Sequence, residues 1–243
     1  MEKDQVFAQK QEKIKPFTFN REVTRVFDDM LVRSVPMYTE SITRQAQLAK
    51  EYYRPGSRIY DLGCSHGNLG IAVLEAFGPN PPEMIGVDSS VPMIDKYRER
   101  LAHVGRPSGV DLVCGYMEEV PIKNASVVLI NLTLQFLDVE KRDALMKTIY
   151  QGLQPGGLLL LTEKTFHSSE ILNETQLSFY RRFKRENGYS ELEISQKRDA
   201  LEEVLIPDTI ETHTQRLKQA GFVHMDVWLK WFNFAGIMAV KEG

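Results

Sequence analysis

The chain has 243 residues, 42% of them hydrophobic and 26% charged, with a formal net charge of -3 and a pI of about 6.0. This is an ordinary globular mix, long enough to bury a core without staples, and it lacks the basic surplus that strong non-specific nucleic-acid binding requires. Two cysteines, Cys64 and Cys114, make no disulfide framework, the first residues carry no apolar signal region, and no apolar run is long enough to cross a bilayer. The expectation is a cytoplasmic protein without a membrane span.

Residues 1 to about 20 are polar, end in Phe17-Thr18-Phe19, and read as a partly ordered arm. Helical spacing follows over about Arg21–Met30 and about Tyr38–Tyr52. A helical N-terminal arm of about 53 residues therefore precedes the turn Arg54-Pro55-Gly56. The period then changes. Arg58–Leu62 reads as a strand, Gly63–Asn68 as a loop, Leu69–Phe77 as a helix, and Met84–Val87 as a second strand ending at Asp88. Pro92 opens a helix to about Val104. Val110–Val113 and Val127–Asn131 are further strands, and Val139–Leu153 is a helix stopped by Pro155-Gly156-Gly157. Leu158–Thr162 is a fifth strand. Residues 166 to 206 break the rhythm as a charged, inserted helical cap. His213–Ala220 is a helix, and Val223–Trp228 with Phe234–Val240 form a closing antiparallel pair. Short apolar strands alternating with helices predict one α/β domain over 1–243, with a Rossmann-like, mostly parallel sheet covered by helices on both faces.

The chemistry concentrates after the first strand. A strand, a glycine turn and a helix N-terminus suit a nucleotide. The run Asp61-Leu62-Gly63-Cys64-Ser65-His66-Gly67 is not the dinucleotide fingerprint, because Ser65 stands where the second glycine would be. It reads equally as a plain strand-to-helix turn until Asp88 is added. An acid ending the second strand accepts from ribose hydroxyls, so the pair favours an adenosine cofactor without a pyrophosphate, S-adenosylmethionine above NAD. Asn131 ends the fourth strand at the ligand crevice, or simply caps it. Tyr116-Met117 borders an adenine, or packs at the rim. Cys64 reads as a small packing residue and His66 as a solvated loop histidine. The five histidines have no metal-ligand spacing.

Longer runs carry a resemblance: Arg33-Ser34-Val35-Pro36 with Tyr38, Tyr60-Asp61-Leu62-Gly63-Cys64-Ser65, Asn131-Leu132-Thr133-Leu134-Gln135-Phe136-Leu137, Tyr150-Gln151-Gly152-Leu153, and above all the stretch Phe183 to Arg198 within the cap. Over nearly its whole length the chain resembles the carboxy-S-adenosylmethionine synthase family, of the class I methyltransferase fold with a seven-stranded sheet. The resemblance implies that S-adenosylmethionine and prephenate become carboxy-S-adenosylmethionine and phenylpyruvate. It also implies a homodimer, whose product a partner enzyme uses to carboxymethylate a wobble uridine in tRNA, with no direct contact to nucleic acid. By position, Tyr38, Gly63, Cys64 and Ser65 are expected at the amino-acid part of the cofactor, Asp88 and Ser89 at the ribose, Tyr116 and Met117 at the adenine, and Asn131 near the sulfonium. Arg198 is expected on the new carboxylate, where a guanidinium forms two parallel hydrogen bonds. The family commonly has an acid where this chain has Tyr116. Arg33 reads as a substrate contact or a structural ion pair. An ordinary methyltransferase shares the loop and Asp88 but has no use for the Ser195–Arg198 run, and a non-catalytic cofactor-binding scaffold has no use for the full set.

Overall fold

The protein is described from a computed structural model covering residues 2–106 and 109–243. Its sheet has seven strands in the order β3-β2-β1-β4-β5-β7-β6. These are β1 (Arg58–Leu62), β2 (Glu83–Asp88), β3 (Asp111–Cys114), β4 (Ala125–Asn131), β5 (Leu153–Lys164), β6 (His224–Trp231) and β7 (Phe234–Val240). The first five are parallel, and β7 runs antiparallel to both β5 and β6.

Alternate residues of the central strands separate two cores, as the two-residue period of a strand dictates. Tyr60, Leu62, Val128, Ile130, Leu159 and Leu161 pack under α5 (Val139–Gly152) and α8 (Ile210–Ala220). Ile59, Val127, Leu129, Leu158 and Leu160 pack under α2 (Tyr38–Tyr52), α3 (Asn68–Phe77) and α4 (Val91–His103). Both faces being covered, the strands run apolar without alternation.

A third core joins the N-terminal segment to α1 (Arg21–Ser34), with Phe7 and Phe17 buried against Val23, Phe27 and Met93. The arm is held as well as packed. Between β5 and α8 lie α6 (Glu170–Glu186) and α7 (Glu191–Leu201). From α7, Gln196 Nε2 donates to the carbonyls of Phe7 and Gln9, both at 2.9 Å, and its Oε1 accepts from Gln11 N at 2.7 Å. Tyr189 donates its hydroxyl to Asp4 at 2.6 Å.

Several boundaries differ from the sequence reading; α1 continues to Ser34, β4 begins at Ala125 and α8 at Ile210. β3 begins at Asp111 rather than Val110. β5 begins at Leu153, because Leu153 already pairs with Ala125 and the Pro155-Gly156-Gly157 run is accommodated as a register shift instead of ending the element. β6 continues to Trp231, past a bulge at Trp228 that breaks the alternation.

Candidate active site

Open α/β sheets bind ligands beyond the carboxyl ends of their strands where the strand order reverses, here between β1 and β4. A cavity of about 630 Å³ lies there, walled also by the arm, α6 and α7. All ten residues expected from the sequence lie on its wall, and they differ in what holds them.

Gly63 has φ +78°, and a methyl group built on it would overlap the Thr133 side chain. Only glycine lets the loops after β1 and β4 touch. The N–H groups of Gly63 and Cys64 both donate to Val87 O, at 2.7 and 2.9 Å, joining this loop to β2. Ser65 is left-handed at φ 54°, a conformation that costs a residue with a Cβ roughly 1 kcal/mol. Its N–H donates to Asp88 at 2.9 Å, and the other Asp88 oxygen accepts from Ser90 N at 2.8 Å. Ser90 caps α4, and each Asp88 oxygen keeps a lone pair for a ligand. Burial raises the Asp88 pKa. The Cys64 thiol is buried against Gly86 with its pKa pushed up by burial, so it packs, as its size implies.

Asp61 is a site residue that the sequence reading left inside a motif. It is 1% exposed, and its Oδ2 has no partner among the described residues. Burial, then the charge of Asp88, pushes its carboxyl up to about 7.

Tyr38 is buried, and its hydroxyl accepts from Asn68 Nδ2 at 3.1 Å. Asn68 also donates to Asp28 at 2.9 Å, and Arg100 donates to Asn68 Oδ1 at 2.6 Å. His66 corrects the sequence reading: it is no solvated loop residue but is 2% exposed, 3.0 Å from Asp28. Burial lowers its pKa, so it serves Asp28 as a neutral donor, and that hydrogen bond holds Asp28 well below the usual carboxylate range.

Asn131 Oδ1 accepts from Gln45 Nε2 at 3.1 Å, which leaves its own Nδ2 without a protein acceptor among the described residues. The next residues are set by Glu163, whose carboxylate accepts from the N–H groups of Thr133, Leu134 and Gln135 at 3.0, 2.8 and 3.2 Å. Glu163 is 1% exposed, and burial pushes its pKa up to about 8 against the pull of these three donors.

Tyr116 is exposed, Met117 is buried, and Ser89, the residue after Asp88, is exposed. Arg198 is at the rim, with Nε and Nη2 on Asp199 Oδ1 at 2.9 and 2.8 Å, and its Nη1 has no partner among the described residues. Arg33 is structural: it pairs with Asp29 at 3.1 Å, donates to Asn187 O at 2.8 Å and lies 3.9 Å from the centre of the Tyr189 ring. The wall also carries Lys164, which lies in no motif, and Lys184 and Lys197, which lie in the Phe183 to Arg198 stretch without an assigned role there.

Residues 59–157 match the profile of a methyltransferase domain. Among solved structures, a putative O-methyltransferase from Nostoc punctiforme aligns with TM-score 0.65 at 20% identity, covering 91% of this chain and 59% of that one. Human N-acetylserotonin methyltransferase aligns with TM-score 0.59 at 14% identity, covering 92% of this chain and 56% of that one. The chain thus spans little more than half of these longer proteins, and the likeness is one of fold. Among curated relatives, the carboxy-S-adenosyl-L-methionine synthase of Desulforapulum autotrophicum is 57% identical over 99% of this chain and 98% of that protein. The protein of the same description from Actinobacillus pleuropneumoniae is 44% identical over 99% of this chain and all of that one. A chain that keeps this identity from end to end belongs to the carboxy-S-adenosyl-L-methionine synthase family.

Proposed function

We propose that this protein carboxylates the methyl group of S-adenosylmethionine with the carboxyl group lost by prephenate. The observation that carries the reading is Arg198, a cation on the wall of the cavity that Asp61 and Asp88 also line. A methyl donor that hands its methyl to a nucleophile never bears a carboxylate there, whereas carboxy-S-adenosylmethionine does.

The residues fit S-adenosylmethionine. The buried, partnerless oxygen of Asp61 suits its ammonium group, Asp88 suits the ribose hydroxyls, and the glycine turn at Gly63 lets the backbone come close to the amino-acid part. Ser89, Tyr38, Cys64 and Ser65 share the cavity wall with them; Tyr116 and Met117 suit the adenine, and the Asn131 amide suits the sulfonium side. Tyr116 replaces the acid common in the family, so its ring or hydroxyl takes the adenine edge.

S-adenosylmethionine is a substrate here, and its sulfonium acidifies the methyl protons. Prephenate loses its ring carboxylate as CO2 and its ring hydroxyl as hydroxide, and the freed electron pair aromatises the ring to phenylpyruvate. The hydroxide takes one methyl proton and leaves as water, and the methyl carbon bonds to CO2. The protein supplies orientation, a dry cavity and a cation for the new carboxylate. Arg198 holds that carboxylate through two N–H groups. The chain acts as a cytoplasmic homodimer whose product feeds a tRNA wobble-uridine carboxymethylating enzyme, without itself touching the RNA.

The test is the mass of the nucleotide released when the purified protein is denatured after incubation with S-adenosylmethionine and prephenate. A species heavier than S-adenosylmethionine by one carboxylate is expected. Only S-adenosylmethionine or S-adenosylhomocysteine would return the protein to ordinary methyl transfer.

A further inference from the structure

The cavity wall is longer than the set assigned to S-adenosylmethionine. Asp61 and Asp88 reach it from β1 and β2, whereas β5, α6 and α7 bring Lys164, Arg181, Lys184 and Lys197 to it, together with Glu202 just after α7. Lys164 ends β5, the strand next to the β4 strand that ends in Asn131, hence ~4.8 Å further across the sheet. The ammonium groups of Lys164 and Lys184 lie 5.4 and 4.4 Å from the centre of one ring, that of Tyr180. Tyr180 meets Phe234 edge-on at 5.2 Å, giving this stretch an aromatic wall.

Among the described residues neither lysine has an acidic partner. Lys184 is 8% exposed. Burial, then the positive charges of Lys197, Lys164 and Arg181, holds its ammonium well below its ordinary range. Lys197 is also buried; among the described residues its Nζ has no hydrogen-bond partner, and Asp4 is 3.9 Å from it. Buried charges without partners are expensive to keep, and here several of one sign face a common space.

We propose that Lys164 and Lys184, set over the Tyr180 ring, bind the carboxylate that the second substrate keeps. Resting on the function proposed above, this is the pyruvyl carboxylate of prephenate, which survives in phenylpyruvate. The chemistry selects it. The ring carboxylate must leave as neutral CO2, so lysines gripping it would stabilise the ground state and oppose its loss. The pyruvyl carboxylate keeps its charge throughout and can be held from binding to release, while the aromatic wall faces the ring that becomes benzenoid. Arg198 is left for the third carboxylate, the one that forms.

Calorimetric titration of the S-adenosylhomocysteine-loaded protein, which has no methyl group to carboxylate, with prephenate and with phenylpyruvate tests this. Lys184→Met and Lys164→Met should each weaken both ligands by a common factor of about 10- to 100-fold, the loss of one charge-assisted hydrogen bond. S-adenosylmethionine affinity should be unchanged. Lys184→Met should also raise the melting temperature of the ligand-free protein, since an unpaired buried charge is removed. Weakening of prephenate alone would assign the lysines to the departing carboxylate and overturn the proposal. Unchanged affinity in both variants, or a wild-type protein that binds neither ligand, would remove the lysines from the site. Binding is read without turnover, so a wild-type protein that binds phenylpyruvate yet forms no carboxylated product refutes the reaction and leaves the lysine assignment standing.

Discussion

Replacing Glu163 with glutamine should reverse sign with pH. In the native protein Glu163 titrates at about 8 instead of its usual 4.5 because it is buried. The folded state therefore prefers the proton more than the unfolded state does. The stability this group contributes is fully present below about pH 4.5 and falls by about 1.4 kcal/mol per pH unit until about pH 8. By pH 8 the loss reaches roughly 4 to 5 kcal/mol on that slope. Glutamine cannot ionise and escapes the loss. Its carbonyl can replace Oε1, which accepts from Thr133 and Leu134, but its amide group then faces the N–H of Gln135, which Oε2 had accepted. One buried N–H without an acceptor costs about 1 to 3 kcal/mol. For a penalty near 2 kcal/mol the variant should thus be less stable than wild type at pH 5 by a net of about 1.3 kcal/mol, about 3 to 5 °C in a chain of this size. It should be more stable at pH 8, and the curves should cross near pH 6. Thermal melts of the ligand-free proteins between pH 5 and 8.5 read this directly, because every other titrating group contributes to both curves. Parallel curves, with the variant lower throughout, would mean that Glu163 stays ionised in the fold and that its three N–H donors outweigh its burial.

Three other outcomes follow from the site. Asp61 titrates at about 7 in the free protein, and a bound ammonium group favours its charged form. Binding S-adenosylmethionine near pH 7 should therefore release about half a proton, measured by calorimetry in buffers of different ionisation enthalpy, and Asp61→Asn should abolish the release. Gly63→Ala places a methyl group in the Thr133 side chain at φ +78°; it should cost about 2 kcal/mol or more and lower S-adenosylmethionine affinity at least tenfold, read by denaturant unfolding and titration, and wild-type behaviour would mean that the two loops are free to separate. Arg198→Ala should keep S-adenosylmethionine binding but lose the carboxylated product on gel filtration; retention of both would remove Arg198 from that role.

The parallel strands are legible in the sequence because runs such as Leu158–Leu161 and Val127–Ile130 are apolar on both faces, which only a covered sheet permits. The acid at the end of β2 and the glycine after β1 are legible for a similar reason: their spacing is local, and the backbone geometry requires them. What is hidden depends on contacts distant in sequence. His66 has no signal of burial in its own loop, because Asp28 of α1 and Phe27, whose ring centre is 5.0 Å from its own, cover it. Glu163 is a single acid at a strand end, and its partners are backbone N–H groups 28 to 30 positions away. Lys184 lies in the charged run Lys184-Arg185-Glu186 and looks like its exposed neighbours; only the packing of α6 over the sheet tells it apart. The end of β6 is masked by the bulge at Trp228.

The clasp between Gln196 and the backbone of the N-terminal arm joins groups up to 189 positions apart. During synthesis the arm emerges well before Tyr189 and Gln196, which hold Asp4, Phe7, Gln9 and Gln11. At about 5 to 20 residues per second, the arm waits roughly 10 to 40 s for Gln196. The arm and α7 both wall the cavity, so a growing chain has no complete binding site until α7 has emerged. A ribosome-stalled fragment ending before α7 would leave the arm without its Gln196 clasp and the third core without Ala200, a natural landing point for a chaperone.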